Sequence, residues 1–267
     1  MVEGGMPWYM LVAGVAAGFV CGWINTLAGS GSLVTLPVLL AMGLPANVAN
    51  GTNRIAIVLQ NVVSASSFRH QEVLDLRGGL LLSIPTAFGA IVGTHIALNL
   101  DEQMMRRTIG ALMVVMLVVV LTEPKRWLEG RPECVHHTLE WKQALTFFAI
   151  GVYGGFIQAG IGIFLLAGLV LGSGYDLVRG NAVKVLIILA QALVALLIFA
   201  LNDQVVWEIG VLMGLGTMPG AWVGARMAVK RGAVFVRWVL IAVVVVSALD
   251  LFGVLKLVGG LALGQVV

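Results

Sequence analysis

Charge is what this chain has least of. Only 11% of its 267 residues are Asp, Glu, Lys or Arg, whereas a soluble domain carries about 25%. With 60% apolar residues and a mean hydropathy of +1.01, the composition excludes an ordinary water-soluble fold. Strand-like alternation is also missing: runs such as 112–121 are continuously apolar, which excludes a membrane β-barrel. There are only two cysteines, Cys21 in an apolar run and Cys134 in a polar one, so no disulfide is expected. Cys134-Val135-His136-His137 lacks a further ligand cluster, and no metal site or cofactor is expected. No Lys or Arg stands before Tyr9, so the basic region of a cleavable signal peptide is absent and none is expected. The basic residues flank apolar runs and form no tract, which argues against nucleic acid as a partner.

No acidic residue sits deep in an apolar run. A carboxylate relay for protons or sodium is therefore not evident, and Asp203 and Glu208, beside a turn, are the nearest candidates. The runs contain no pairing of nucleophile and base, no phosphate loop and no haem-ligand pattern, so the chain is not expected to be an enzyme.

Apolar runs of helical length fill what remains. They cover about 8–28, 32–44, 55–68, 78–98, 105–121, 144–159, 161–171, 182–201, 206–227 and 234–252. About 17–25 residues span a bilayer as a helix. The expected fold is an all-α polytopic membrane protein in two repeats of about five helical elements. The segments are 1–122, a connecting loop 123–142, 143–252 and an apolar tail 253–267.

The repeat rests on matched positions. Gly18, Gly22 and Asn25 correspond to Gly151, Gly155 and Gln158 at an offset of 133 residues. Arg54 and Asn61 correspond to Lys184 and Gln191 at 130, and Gly89 and Gly93 to Gly220 and Gly224 at 131. Repeats of this kind build many secondary transporters. With the N-terminus outside, twelve of the 16 Lys and Arg fall on or near the inner side. The positive-inside rule then favours an odd number of crossings per half, and so inverted repeats. The second element of each half is short. It either spans or turns back as a hairpin inside the membrane, and the charge pattern is the same for both.

Polar residues concentrate at two kinds of place. Asn25-Thr26-Leu27-Ala28-Gly29-Ser30-Gly31-Ser32 joins the first two elements, and Gln158-Ala159-Gly160-Ile161-Gly162 joins their counterparts. Glycine and serine let a helix break, and irregular backbone at membrane depth is tolerated where it lines a cavity. The same glycines could instead serve close helix packing. Asn50-Gly51-Thr52-Asn53-Arg54 opens the third run and Lys184 enters its counterpart. A charge in hydrocarbon costs roughly 2.5–3.5 kcal/mol on insertion scales and rarely faces lipid. Two cations at one cavity suit an anion, and arginine's planar fork suits an oxyanion. The alternative is that each cation snorkels to its nearest interface. His95 and Arg226, at matching helix ends, read as interfacial, with a proton relay through His95 as the other reading. The candidate substrate contacts are Asn25, Thr26, Ser30, Ser32, Asn50, Thr52, Asn53, Arg54, Gln60 and Asn61, then Gln158, Lys184 and Gln191.

The run from Gly22 to Leu33 with Pro37, followed by Gly43-Leu44-Pro45-Ala46-Asn47-Val48-Ala49-Asn50-Gly51-Thr52-Asn53-Arg54, resembles the sulfite exporter TauE/SafE family. Gly89-Ala90-Ile91-Val92-Gly93 and the second half fit as well, so the likeness covers nearly the whole chain. The resemblance implies a bacterial inner-membrane transporter of sulfite or organosulfonates, usually outward, in which Asn25, Thr26, Asn50, Thr52, Asn53 and Arg54 face substrate, with Lys184 a weaker match. Ser30 departs from the pattern, where many relatives have another glycine, and an altered cavity shape is implied there. The expectation is thus a multi-pass protein, N-terminus periplasmic and central loop cytoplasmic. Its partners are a small anion and the lipid bilayer, a proton is the candidate coupling ion, and homo-oligomerisation is left open. A passive anion channel is the alternative.

Overall fold

The computed structural model describes residues 8–29, 31–105, 107–108 and 139–251. Ser30, most of the run 105–121, the connecting segment with Cys134 and the tail 253–267 lie outside the described residues. Every regular element among the described residues is helical: α1 (Trp8–Ala28), α2 (Ser32–Ala41), α3 (Ala46–His70) and α4 (Leu76–Leu98) in the first half. In the second are α5 (Trp141–Phe156), α6 (Ile161–Ala167) with a π turn at Gly168–Gly172, α7 (Leu177–Leu201) and α8 (Trp207–Leu251). Gly232, at φ 72°, breaks α8 into two segments, as the separate apolar runs lead one to expect.

Local chemistry sets the ends. The Asp75 carboxylate accepts from Gly78 N at 3.0 Å to start α4, and Asp176 accepts from Val178 N and Arg179 N to start α7. Glu140 and Gln143 form a capping box on α5. Breaks come where glycine adopts the left-handed conformation, Gly29 after α1 and Gly160 after α5, each at φ 72°.

The helix preceding each buried cation is longer than the apolar runs indicate. The run starting at 55 belongs to a helix that already begins at Ala46, and Pro45 precedes it. Asn50 to Arg54 are therefore helical and buried, well inside α3. Hydropathy alone misses this because polar side chains that face a protein interior look like a loop.

After the first break the chain doubles back. Cys21 Sγ donates to Gly31 O at 2.7 Å and Gly31 N donates to Asn25 Oδ1 at 3.1 Å, so residue 31 lies beside α1. Leu39 and Leu44 then pack with Met213 of α8, whose carbonyl also faces Gly18. α1 and α2 thus form a helical hairpin.

The largest interfaces join helices of different halves. α1 runs parallel to α8, with Gly18 against Gly216 and Gly224 against Trp23 and Thr26. α4 runs parallel to α5 in the same manner: Gly151 lies against Thr86 and Gly155 against Ala90. A Cβ at Gly89 would strike Phe148 O, and one at Gly93 would strike Val152 O, so these two glycines serve internal packing. α3 and α7 cross antiparallel. Gly51 meets Phe199 and Gln204 at one end, while Ala65 and Phe68 cluster with Leu177 and Val185 at the other. α3 runs with α8, through Ile55 on Gly210 and Leu59 on Gly214. α3 is thereby antiparallel to α7, the helix that carries the matched cation.

The surface carries large apolar side chains, while polar and charged ones are buried among the apolar core. Leu80, Ile84, Phe88, Leu145, Leu197 and Leu215 are exposed, whereas Asn50, Thr52, Arg54, Asn181, Lys184 and Gln191 are buried. α4 and α7 are each long and apolar enough to cross a membrane.

Candidate functional site

Two helix breaks meet at the centre of the molecule, and each is capped by a cation from the opposite half. A helix leaves its last four carbonyls without intrahelical partners. For α5 these include Gly154 and Gly155. Arg54 Nη1 donates to Gly154 O at 2.7 Å and to Gln158 Oε1, and Nη2 donates to Gly155 O at 2.9 Å. Asn50, one turn earlier on α3, accepts from Arg54 Nη2 at 3.3 Å and donates its Nδ2 to Phe156 O at 2.8 Å. At the end of α1, Lys184 Nζ donates to Thr26 O at 3.1 Å and to Asn25 O at 3.3 Å, the latter also accepting from Gly29 N at 2.7 Å, and to Asn181 Oδ1. The breaks touch: Gly162 N donates to Gly29 O at 3.2 Å, and a Cβ on either glycine would strike the other.

Both cations are 0% exposed, and neither meets a carboxylate among the described residues. The magnitudes account for this. Placing a charge in hydrocarbon costs roughly 2.5–3.5 kcal/mol, and hydrogen bonds to a charged group contribute about 1.5–3 kcal/mol each. Four acceptors on Arg54 and three on Lys184 offset that cost, and the negative end of a helix adds to the attraction. Neither residue snorkels. The Phe199 ring lies under Arg54, 5.7 Å from its Cζ.

The remaining candidates divide into engaged and unengaged groups. Asn25 Oδ1 is held by Gly31 N, Thr26 Oγ1 pairs with Ser64 Oγ at 2.9 Å, and Thr52 Oγ1 accepts from Val206 N at 3.0 Å. Asn61 Nδ2 bonds back to Ile57 O of its own helix at 2.7 Å. Ser32, at the start of α2, and Gln60 are buried. Asn53 and Gln191 are different. Both side-chain atoms of each, together with Arg54 Nε and Asn181 Nδ2, are buried without a hydrogen-bond partner among the described residues. An unpaired buried polar group costs about 1–3 kcal/mol. Gln191 packs on Gly154, the residue whose carbonyl binds Arg54 Nη1.

Several participants escape the sequence reading. Asn181 and Ser64 are polar residues in apolar helices, and Asn181 stands three residues before Lys184, a spacing that places both on one helix face. Backbone carbonyls leave no trace in a sequence. His95 and Arg226 are exposed, and Arg226 stacks on Trp222 at 4.0 Å. Asp203 and Glu208 are exposed at the α7–α8 turn. Where the loops after α3 and α6 meet, Tyr175 Oη donates to Asp75 Oδ2 at 2.7 Å. Burial, then this bond and the Asp75 charge, hold the Tyr175 hydroxyl protonated well above its ordinary range.

Residues 14–251 match the family model for the sulfite exporter TauE/SafE. A probable membrane transporter protein of a Sinorhizobium species, ORF9, is 25% identical over 247 residues, 92% of this chain and 94% of that one. A probable membrane transporter protein of Haemophilus influenzae is 27% identical over 220 residues, 82% of this chain and 86% of its own length. The probable membrane transporter protein YfcA of Escherichia coli K12 is 26% identical over 238 residues, 87% and 86% of the two chains. No solved structure matches the chain. A family match over nearly the whole chain, relatives named as membrane transporters and a polar interior under an apolar surface agree: this protein is a membrane transporter and belongs to the sulfite exporter TauE/SafE family.

Proposed function

We propose that this transporter carries a small sulfur-containing anion, sulfite or an organosulfonate, outward across the bacterial inner membrane by alternating access between two inverted halves. One observation carries the reading: a sealed arginine that meets no carboxylate among the described residues, with its Nε and the amides of Asn53 and Gln191 unpaired. An oxyanion supplies the acceptors those donors lack, and a guanidinium edge fits oxygens on one central atom. The family description supports a sulfur oxyanion. The antiparallel course of α3 and its counterpart α7 supports inverted halves, because repeats about an axis along the membrane normal would run parallel. Three of the five Arg54 N–H groups are held by the second half, so anion binding there competes with contacts between halves and links occupancy to their relative movement.

The test is flux of labelled sulfite and of a two-carbon sulfonate in proteoliposomes, with and without a pH gradient, beside Arg54→Ala. The expected result is saturable flux that is lost in Arg54→Ala while the variant remains folded in detergent. Sulfite flux unchanged by the substitution would sink the assigned site. Flux that never saturates and shows no counterflow would identify an anion channel instead.

A further inference from the structure

Lys184 differs from Arg54 in how completely it is used. An ammonium has three N–H donors and no acceptor. All three are taken: Asn25 O and Thr26 O at the end of α1, and Asn181 Oδ1 one turn back on α7. The ammonium is 0% exposed, and the Thr26–Ser64 hydroxyl pair lies beside it. Its charge can act on an anion through space, but no proton is left to bond one.

These acceptors have a recognisable character. They are compact, neutral oxygens, two of them main-chain carbonyls at the end of an interrupted helix. Interrupted helices in secondary transporters present carbonyls of this kind to a coupling sodium ion or proton. Here the oxygens surround a nitrogen carried by the chain itself. The Arg54 site does not share this property, since its four acceptors are spread along a planar guanidinium and would leave an elongated gap.

We infer that Asn25 O, Thr26 O and Asn181 Oδ1 form a monovalent-cation cage in which the Lys184 ammonium is the permanent occupant, standing where a free ammonium, potassium or sodium ion would otherwise bind. The tethered charge holds α7 to the end of α1 in every turnover. No diffusible cation is needed at this break, and shortening Lys184 opens the cage to one. The cage rests on geometry alone, and its part in turnover rests on the transport reading given above.

The experiment compares wild type, Lys184→Ala and Asn181→Ala, each extracted and purified with ammonium, potassium, sodium or choline chloride at equal ionic strength. Lys184→Ala is expected to melt several degrees higher in at least one small cation than in choline, which is too large for the cage. The wild type, its cage filled, should melt alike in all four salts. Asn181→Ala should melt lower than wild type without responding to the salt, because Lys184 still fills the site. If Lys184→Ala is so weak that it survives extraction only with a small cation, the cage is supported. If it is lost in all four salts, or melts alike in all four, the cage is overturned. A parallel arm measures wild-type sulfite flux with sodium or choline outside. Equal flux is expected, and a sodium requirement would overturn the resident-cation role. Absence of any sulfite flux would count against the proposed substrate alone, leaving the melting comparison to decide the cage.

Discussion

Gly29 and Gly162 lie backbone to backbone, with Gly162 N donating to Gly29 O at 3.2 Å, where the two interrupted helices pass. A methyl group on Gly162 would strike Gly29 Cα, and Gly29 also holds a positive φ. Gly162→Ala should therefore destabilise by about 1–3 kcal/mol, the usual cost of overpacking, and reduce flux. Gly172→Ala meets nothing within 4 Å and is the control. Thermal unfolding in detergent of both variants decides it: equal melting temperatures would mean the breaks do not pack this closely.

Arg54→Lys separates charge from geometry. Lysine keeps the charge but has three donors, where Arg54 Nη1 and Nη2 satisfy four acceptors. At least one acceptor loses its partner, and the flat edge offered to an oxyanion is gone. Flux should fall tenfold or more, on the order of 1.4 kcal/mol, with the protein still folded. Wild-type kinetics in Arg54→Lys would show that charge alone suffices.

Gln191→Leu tests the unpaired amide by two readouts of opposite sign. Removing a buried polar group that has no partner is neutral or stabilising, so the melting temperature should hold or rise. If Gln191 contacts the anion, the KM for flux should nevertheless increase about tenfold, the equivalent of one hydrogen bond. A drop in stability with KM unchanged would assign Gln191 to the scaffold.

Tyr175→Phe removes the bond to Asp75 that joins the loops after α3 and α6. A hydrogen bond to a charged acceptor contributes about 1.5–3 kcal/mol, and the variant should lose stability on that scale. The hydroxyl is held protonated above its ordinary range, so the bond's contribution is complete below about pH 10. It is lost only as pH rises through the elevated folded value. Melting temperatures of wild type and Tyr175→Phe should therefore differ by a constant amount between pH 6 and about 9. A gap that closes within that range would contradict the assignment.

How much of this was legible beforehand varies residue by residue. Hydropathy identified the membrane class, the positions of most helices and the junctions at 25–32 and 158–162, because burial in lipid selects composition directly. Arg54 and Lys184 stood out because a charge in an apolar run needs a reason. Their separate surroundings did not. The sequence reading joins both to one cavity, whereas the structure gives Arg54 the end of α5 and Lys184 the end of α1. Thr52, a candidate substrate contact in the sequence, accepts a bond from Val206 N just before α8, a partner no sequence pattern shows.

What the sequence determined alone is the class of molecule: an all-helical membrane protein with two cations that cannot be left in lipid. Tertiary structure decided what those cations hold. Their partners are main-chain carbonyls at helix ends a hundred residues away or more, and a carbonyl is the same in every residue. Only when Gly29 and Gly160 break the helices, and the halves interlock, do those oxygens acquire positions that a side chain can reach.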